Sequence, residues 1–133
     1  MLLRIVFRAS EGEGMDSILI SIKKLLGLDE ENISFDSDII MHINSVFIIL
    51  NQLGVGPESG FYIEDDSAVW SDFLDDKVKL NLVKSYVYMK VRLMFDPPTG
   101  AQIMDAINKN ISELEWRILA VTDFNQKETN SSN

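Results

Sequence analysis

The chain opens in a two-residue rhythm and then changes to a helical one. Leu3, Ile5 and Phe7 alternate with Arg4, Val6 and Arg8, which is the period of a short half-buried strand. A lone strand leaves its own backbone groups unpaired and must find a partner. Either it pairs with the one other extended-looking piece, Phe61-Tyr62-Ile63, or it reaches a neighbouring molecule. From Asp16 the apolar spacing becomes three and four. Ile18, Leu19, Ile22, Leu25 and Leu26 share one face of a helix predicted over residues 16–26. Lys23 and Lys24 stand near its carboxyl end, where cations suit the helix dipole, and Gly27 supplies a left-handed stop.

After the acidic loop Asp29-Glu30-Glu31, a second helix is predicted over residues 37–53, capped by Asp36 and ended by Gly54. Ile40, Ile43, Phe47 and Leu50 form its stripe, and Ile39, Val46, Ile48, Ile49 and Leu53 widen that stripe to most of the circumference. A helix apolar that far round is buried centrally or shared with a partner subunit. The segment 54–60 is a turn by its Gly and Pro content, and Ser67 caps a short helical turn holding Trp70 and Phe73. A third long helix is predicted over residues 77–95, with Val83, Val87, Val91 and Met94 as its stripe. Asp96 before Pro97-Pro98 ends it, because the residue before a proline is pushed out of the helical region. The last helix is predicted over residues 99–121 from Ile103, Ile107, Ile111, Leu114 and Ile118, with Glu113 four residues ahead of Arg117 as a favourable surface pair. Residues 123–133 are polar and cannot pack a core.

The fold class that follows is all-α. It has four main helices plus a short helical turn, a short amino-terminal strand or arm, and an extended polar carboxyl-terminal tail. The expected organisation is an arm over 1–14, a helical domain over 15–121 and a tail over 122–133.

Charge narrows the function. The 133 residues carry 21 acids against 12 bases, a formal net charge of −9. That is a poor match for a nucleic-acid groove binder, whose affinity rests on Lys and Arg neutralising phosphates, and for an anionic membrane surface. It suits a soluble protein, or a wall past which a polyanion slides without sticking. The longest apolar run, residues 46–50, falls far short of a membrane span, and the first nine residues lack a cleavage pattern, so residence in a cytoplasm is expected.

Chemistry is sparse. The absence of Cys removes thiolate catalysis and cysteine-built metal sites. The one His, His42, lies beside Asn44 and Ser45 with no base or nucleophile partner, and reads as a hydrogen-bonded structural residue. The glycines of Gly54-Val55-Gly56 follow a helix instead of a strand and do not form a dinucleotide fingerprint. Glu64-Asp65-Asp66 lacks the alternate spacing and central Gly of a calcium loop and reads as a solvated acidic loop. No two of the acids at 65, 66, 72, 75 and 76 are placed across a cleft. Trp70, Trp116, Tyr86 and Tyr88 read as core or interface anchors. Lys77, Lys79, Lys84, Lys90 and Arg92 give the third long helix a basic face, either solvated or meeting an acidic neighbour. No catalytic, cofactor or metal residues are expected.

Several blocks, in order, resemble the head–tail connector (adaptor, or head-completion) proteins of tailed bacteriophages. They are residues 15–27, from Met15-Asp16-Ser17-Ile18-Leu19 to Lys23-Lys24-Leu25-Leu26-Gly27; residues 38–47, ending Asn44-Ser45-Val46-Phe47; and Gln52-Leu53-Gly54-Val55-Gly56-Pro57. The series continues through Val91-Arg92-Leu93-Met94-Phe95-Asp96-Pro97-Pro98 and closes at Ile111-Ser112-Glu113-Leu114-Glu115-Trp116-Arg117. The resemblance implies an all-α virion protein without enzyme activity, present as a ring of about a dozen identical subunits beneath the portal. Such a ring continues the DNA channel and offers the tail, or a stopper protein, a docking platform.

A ring is a head-to-tail assembly, so two different faces of each subunit must be adhesive. The expected subunit interface is Ile39, Ile43, Val46, Phe47 and Leu50 with Lys84 and Arg92. Contact with the portal or tail is expected from Leu3, Ile5 and Phe7 in the arm and Phe124, Asn125 and Lys127 in the tail, and Glu64, Asp65 and Asp66 are expected in an acidic channel or docking loop. The rival reading is a small cytoplasmic regulator that dimerises through its second and last helices.

Overall fold

The computed structural model describes residues 15–131 as five α-helices: α1 (Ile18–Leu25), α2 (Asp36–Gln52), α3 (Trp70–Phe73), α4 (Lys77–Phe95) and α5 (Ala101–Ser131). Among the described residues the one β-type pairing is an isolated antiparallel bridge between Ser17 and Val69. It ties the entry of α1 to that of α3, with Ile18 N–H donating to the Ala68 carbonyl (3.0 Å) and Trp70 N–H to the Asp16 carbonyl (3.2 Å). The fold is therefore all-α, as the periodicity predicts.

Local chemistry sets the ends. The Ser17 hydroxyl caps α1 by accepting from Ile20 N–H, and Asp76 caps α4 by accepting from Val78 and Lys79 N–H, both at 3.1 Å. Helix α4 has the predicted limits and stops at Asp96, ahead of the two prolines. Asp36 differs from expectation. It is the first residue of α2, Phe35 holds the cap position without a side-chain bond, and the Asp36 carboxylate lies 2.9 Å from Lys23 Nζ. Lys23 is itself 1 % exposed and also donates to the Glu30 carbonyl at 2.9 Å. Instead of fringing a helix end in water, this amine fastens α1 to the start of α2.

The core is centred on α2. Ile39, Ile43, Val46, Phe47 and Leu50 meet Ile18, Leu19 and Ile22 of α1 and Leu80, Val83, Val87 and Val91 of α4. The third side is closed by the connection from α2 to α3, through Val55, Phe61, Ile63, Trp70 and Phe73. Phe47 is the hub, with ring centroids 4.7 Å from Phe73, 5.1 Å from Phe61 and 6.4 Å from Trp70. The buried Trp70 indole donates to Ser21 Oγ at 2.8 Å. Covering α2 on three sides explains its wide apolar circumference without a second molecule.

One correction follows, and one expectation falls outside the described residues. The carboxyl-terminal tail is not extended, because α5 crosses the expected boundary and continues to Ser131. Polarity after Val121 does not exclude a helix: residues 122–131 contain no Gly or Pro to stop it, and Gln126, Lys127 and Glu128 are good helix formers. Residues 61–63 pair with no strand among the described residues; the polar backbone groups of Ile63 are taken by Asn44. The arm with Leu3, Ile5 and Phe7 lies outside the described residues.

Candidate interaction surfaces

The expected subunit-interface stripe of α2 belongs to the interior. Ile39, Ile43, Val46 and Leu50 are fully buried and Phe47 is 1 % exposed within the single chain, so they are corrected from interface to core. The physical reason is that α1 and α4 pack on this stripe, while the connection at 54–69 closes the side around Phe47 that an amphipathic pattern would have left to a neighbour. What α2 leaves in water is a narrower strip, Met41 and Ile48, 58 % and 60 % exposed.

The cations of α4 are engaged at home. Lys84 Nζ lies 5.6 Å from the Trp70 ring centroid and Lys90 Nζ 5.9 Å from that of Tyr86, both within cation–π reach. Arg92 Nη1 donates to Tyr88 Oη at 3.0 Å, one turn back. Lys79 is buried, and that desolvation lowers its pKa, against a smaller raising effect of the Asp76 charge. Lys77 is the exposed member of the set.

Glu64, Asp65 and Asp66 are exposed as expected. Asp65 caps the turn by accepting from the Ser67 hydroxyl and backbone N–H, and those two bonds lower its pKa. No group of three acids or histidines among the described residues is placed to hold a metal. Lys127 stands exposed on the last turns of α5, and Phe124 and Asn125 belong to the same helix.

A surface unforeseen from the pattern lies between the first half of α4 and the later half of α5. It is a groove of about 510 Å³, lined by Val78 and Leu82 on one side and by Trp116, Arg117, Ala120 and Val121 on the other. Val78 and Trp116 are each 70 % exposed. Trp116 stands off the stripe that buries Ile111 and Ile118, and that displacement was the available signal. The second exposed apolar area joins the Met41 and Ile48 strip to Tyr62, which is 67 % exposed and follows from the way Asn44, on the same side of α2, holds the adjacent Ile63. No helix among the described residues is long and apolar enough to cross a membrane.

A sequence model of the family described as phage connector protein matches residues 18–125, from the first residue of α1 into the last turns of α5. No curated protein and no solved structure matches the chain significantly.

Proposed function

This chain belongs to the phage connector protein family, a family of structural proteins of the phage particle, and we propose that it forms a ring of about a dozen copies beneath the portal. The ring continues the DNA channel, holds the vertex end of the genome path open, and gives the tail or a stopper protein its platform. It assembles in the host bacterial cytoplasm and stays in the neck of the virion. The observation that carries this reading is the extent of the family match, which takes in the first four described helices and most of α5 instead of one local motif.

Charge supports the DNA-channel part. Residues 29–76 contain twelve acids and neither Lys nor Arg, a composition past which a polyphosphate slides without condensing. Glu64, Asp65 and Asp66 are the exposed acids we assign to the lumen or a docking loop. The segment with Leu3, Ile5 and Phe7, which precedes the family-matched residues, and the last turns of α5 with Phe124, Asn125 and Lys127, at the limit of that match, are assigned to the portal or tail contact.

The test is stoichiometry in purified particles. Quantitative mass spectrometry of intact virions is expected to give a fixed ratio near one connector per portal subunit, with density for it below the portal in images of the vertex. Absence from virions, or a copy number scattered over the capsid, sinks the proposal.

A further inference from the structure

The ring reading requires two unlike adhesive faces, and the structure leaves two unlike apolar faces open. One is concave: the α4/α5 groove, where Val78 and Trp116 stand 70 % exposed across about 510 Å³ of space. A tryptophan held at the wall of an apolar groove is the kind of side chain that carries interface energy once a partner excludes water from it. The other is raised: Met41 and Ile48, two turns apart on α2, with Tyr62 set beside them by the Asn44–Ile63 bonds. Neither face has a cover within the described chain.

Charge pairs these two faces with each other. Copies that each carry −9 repel unless unlike regions meet. The raised face belongs to the segment 29–76, with its twelve acids and no Lys or Arg, and Asp38 and Glu64-Asp65-Asp66 border it. The groove belongs to the segment 77–133, which holds eight bases against six acids; exposed Lys77 adjoins Val78, and Arg117, which also pairs with Glu113 one turn back, adjoins Trp116. Groove against groove, or raised face against raised face, lacks this complementarity and leaves one shape unfilled.

We infer that the α4/α5 groove of one copy receives the Met41–Ile48–Tyr62 face of the next copy. The inference rests on the ring reading and assigns its two faces. A contact between different surfaces is heterologous, so it propagates around a ring instead of ending at a dimer.

The sequence contains no Cys, so an introduced pair supplies the only thiols of the connector, and the single-Cys variants control for thiols of other particle proteins. Phage carrying I48C/V78C connector is purified and oxidised. A reducible ladder of covalent multimers is expected from the double variant, and single chains from I48C or V78C alone. Trp116→Glu is expected to lower connector incorporation into particles tenfold or more, while the isolated variant keeps its helical spectrum and melting temperature. A double variant present in many copies per particle that yields no ladder overturns the inference and leaves the ring standing. So does W116E at full occupancy, or a V78C thiol-to-amine cross-link that captures portal protein. Wild-type connector missing from particles overturns both.

Discussion

Asn44 and Ile63 are bonded twice: Asn44 Nδ2 donates to the Ile63 carbonyl at 3.0 Å, and Ile63 N–H donates to Asn44 Oδ1 at 2.8 Å. A single side-chain amide thus takes the place of a neighbouring strand, satisfying both polar groups of a residue that is 2 % exposed. Two turns later, Asn51 Nδ2 donates to the Pro57 carbonyl at 3.1 Å. Positions seven apart lie on one side of a helix, so the two asparagines lace the loop down the length of α2.

Asn44→Ala leaves the buried N–H and C=O of Ile63 without partners, and each such group costs about 1–3 kcal/mol. A loss of about 3 kcal/mol is expected, read as a lower urea midpoint at unchanged slope. Asn44→Asp keeps the acceptor and loses the donor, placing a charge against the Ile63 carbonyl, and is expected to be no better than alanine. A midpoint equal to wild type for both variants shows that water replaces the amide.

Gly56 and Gly60 separate backbone strain from crowding. Both hold positive φ, +87° and +92°, where a side chain is strained, yet a Cβ on Gly56 comes within 2.3 Å of Phe73 Cε2 while one on Gly60 meets nothing within 4 Å. Gly60→Ala is expected to cost about 1–2 kcal/mol, the backbone penalty alone. Gly56→Ala must also push the Phe73 ring from its place against Phe47, and is expected to cost about 2 kcal/mol more. Parallel melting curves check the difference, which vanishes if the aromatic cluster moves freely.

Lys23 is a buried amine with two oxygen partners, the Asp36 carboxylate and the Glu30 carbonyl. Removing one partner of a buried pair costs about 3–5 kcal/mol. Lys23→Ala is expected near that range, and Lys23→Met, which keeps the stem packed, is expected to recover part of it. Exposed Lys24, its neighbour, serves as control, with an expected change of less than about 0.5 kcal/mol on mutation to Ala.

Alkaline pH tests the core from a different side. Burial first, and the nearby Glu115 charge second, push the Tyr86 phenol from 10.0 up to about 12. The folded chain therefore keeps a proton that the unfolded chain releases. That contribution is complete below the unfolded value near pH 10 and is lost as pH rises toward 12. Lys79 acts with the opposite sign, because burial lowers its pKa and the unfolded chain holds the extra proton. The difference between wild type and Tyr86→Phe isolates the phenol: wild type is expected to lose stability more steeply than Y86F between pH 10 and 12. Parallel curves over that window reject a buried neutral Tyr86.

The legible part of this fold was the part written as period. Ile18, Ile22, Val83, Val87, Val91, Ile111 and Ile118 are buried on the faces their spacing predicts, and Gly27, Gly54 and the prolines after Asp96 end helices where expected. What was illegible depends on long-range geometry. Nothing local to α2 tells a stripe covered by the chain's own loop from one covered by a neighbour, and the deciding bonds come from Asn44 and Asn51, which look like ordinary polar-flank residues. Lys23 has the sequence context of a dipole-complementing surface cation, and only the approach of α2 makes it a buried tie. The helical end of α5 escapes the pattern for another reason: a polar segment without an apolar stripe carries no periodic signal, yet it continues a helix already begun when no Gly or Pro stops it.

That last distinction sets a prediction for the end of α5. At 31 residues the helix is about 46 Å long, against about 28 Å for the 19 residues of α4, so its final turns extend beyond the helix it packs on. Among the residues whose side chains are described, the last buried one is Thr122, whose hydroxyl donates back to the Ile118 carbonyl at 2.8 Å, and its methyl carbon is 3.9 Å from the position of a Cβ on Gly54. Downstream, Lys127, Glu128, Asn130 and Ser131 are exposed. A chain ending at Asp123 keeps the core and is expected to melt within about 4 °C of the full chain, the equivalent of roughly 1 kcal/mol. If these turns meet the portal or tail, the shortened connector folds normally yet fails to join particles, and the ratio of melting temperature to incorporation separates the two roles. Full incorporation of the shortened chain assigns the contact elsewhere; a large fall in melting temperature makes the end of α5 part of the fold.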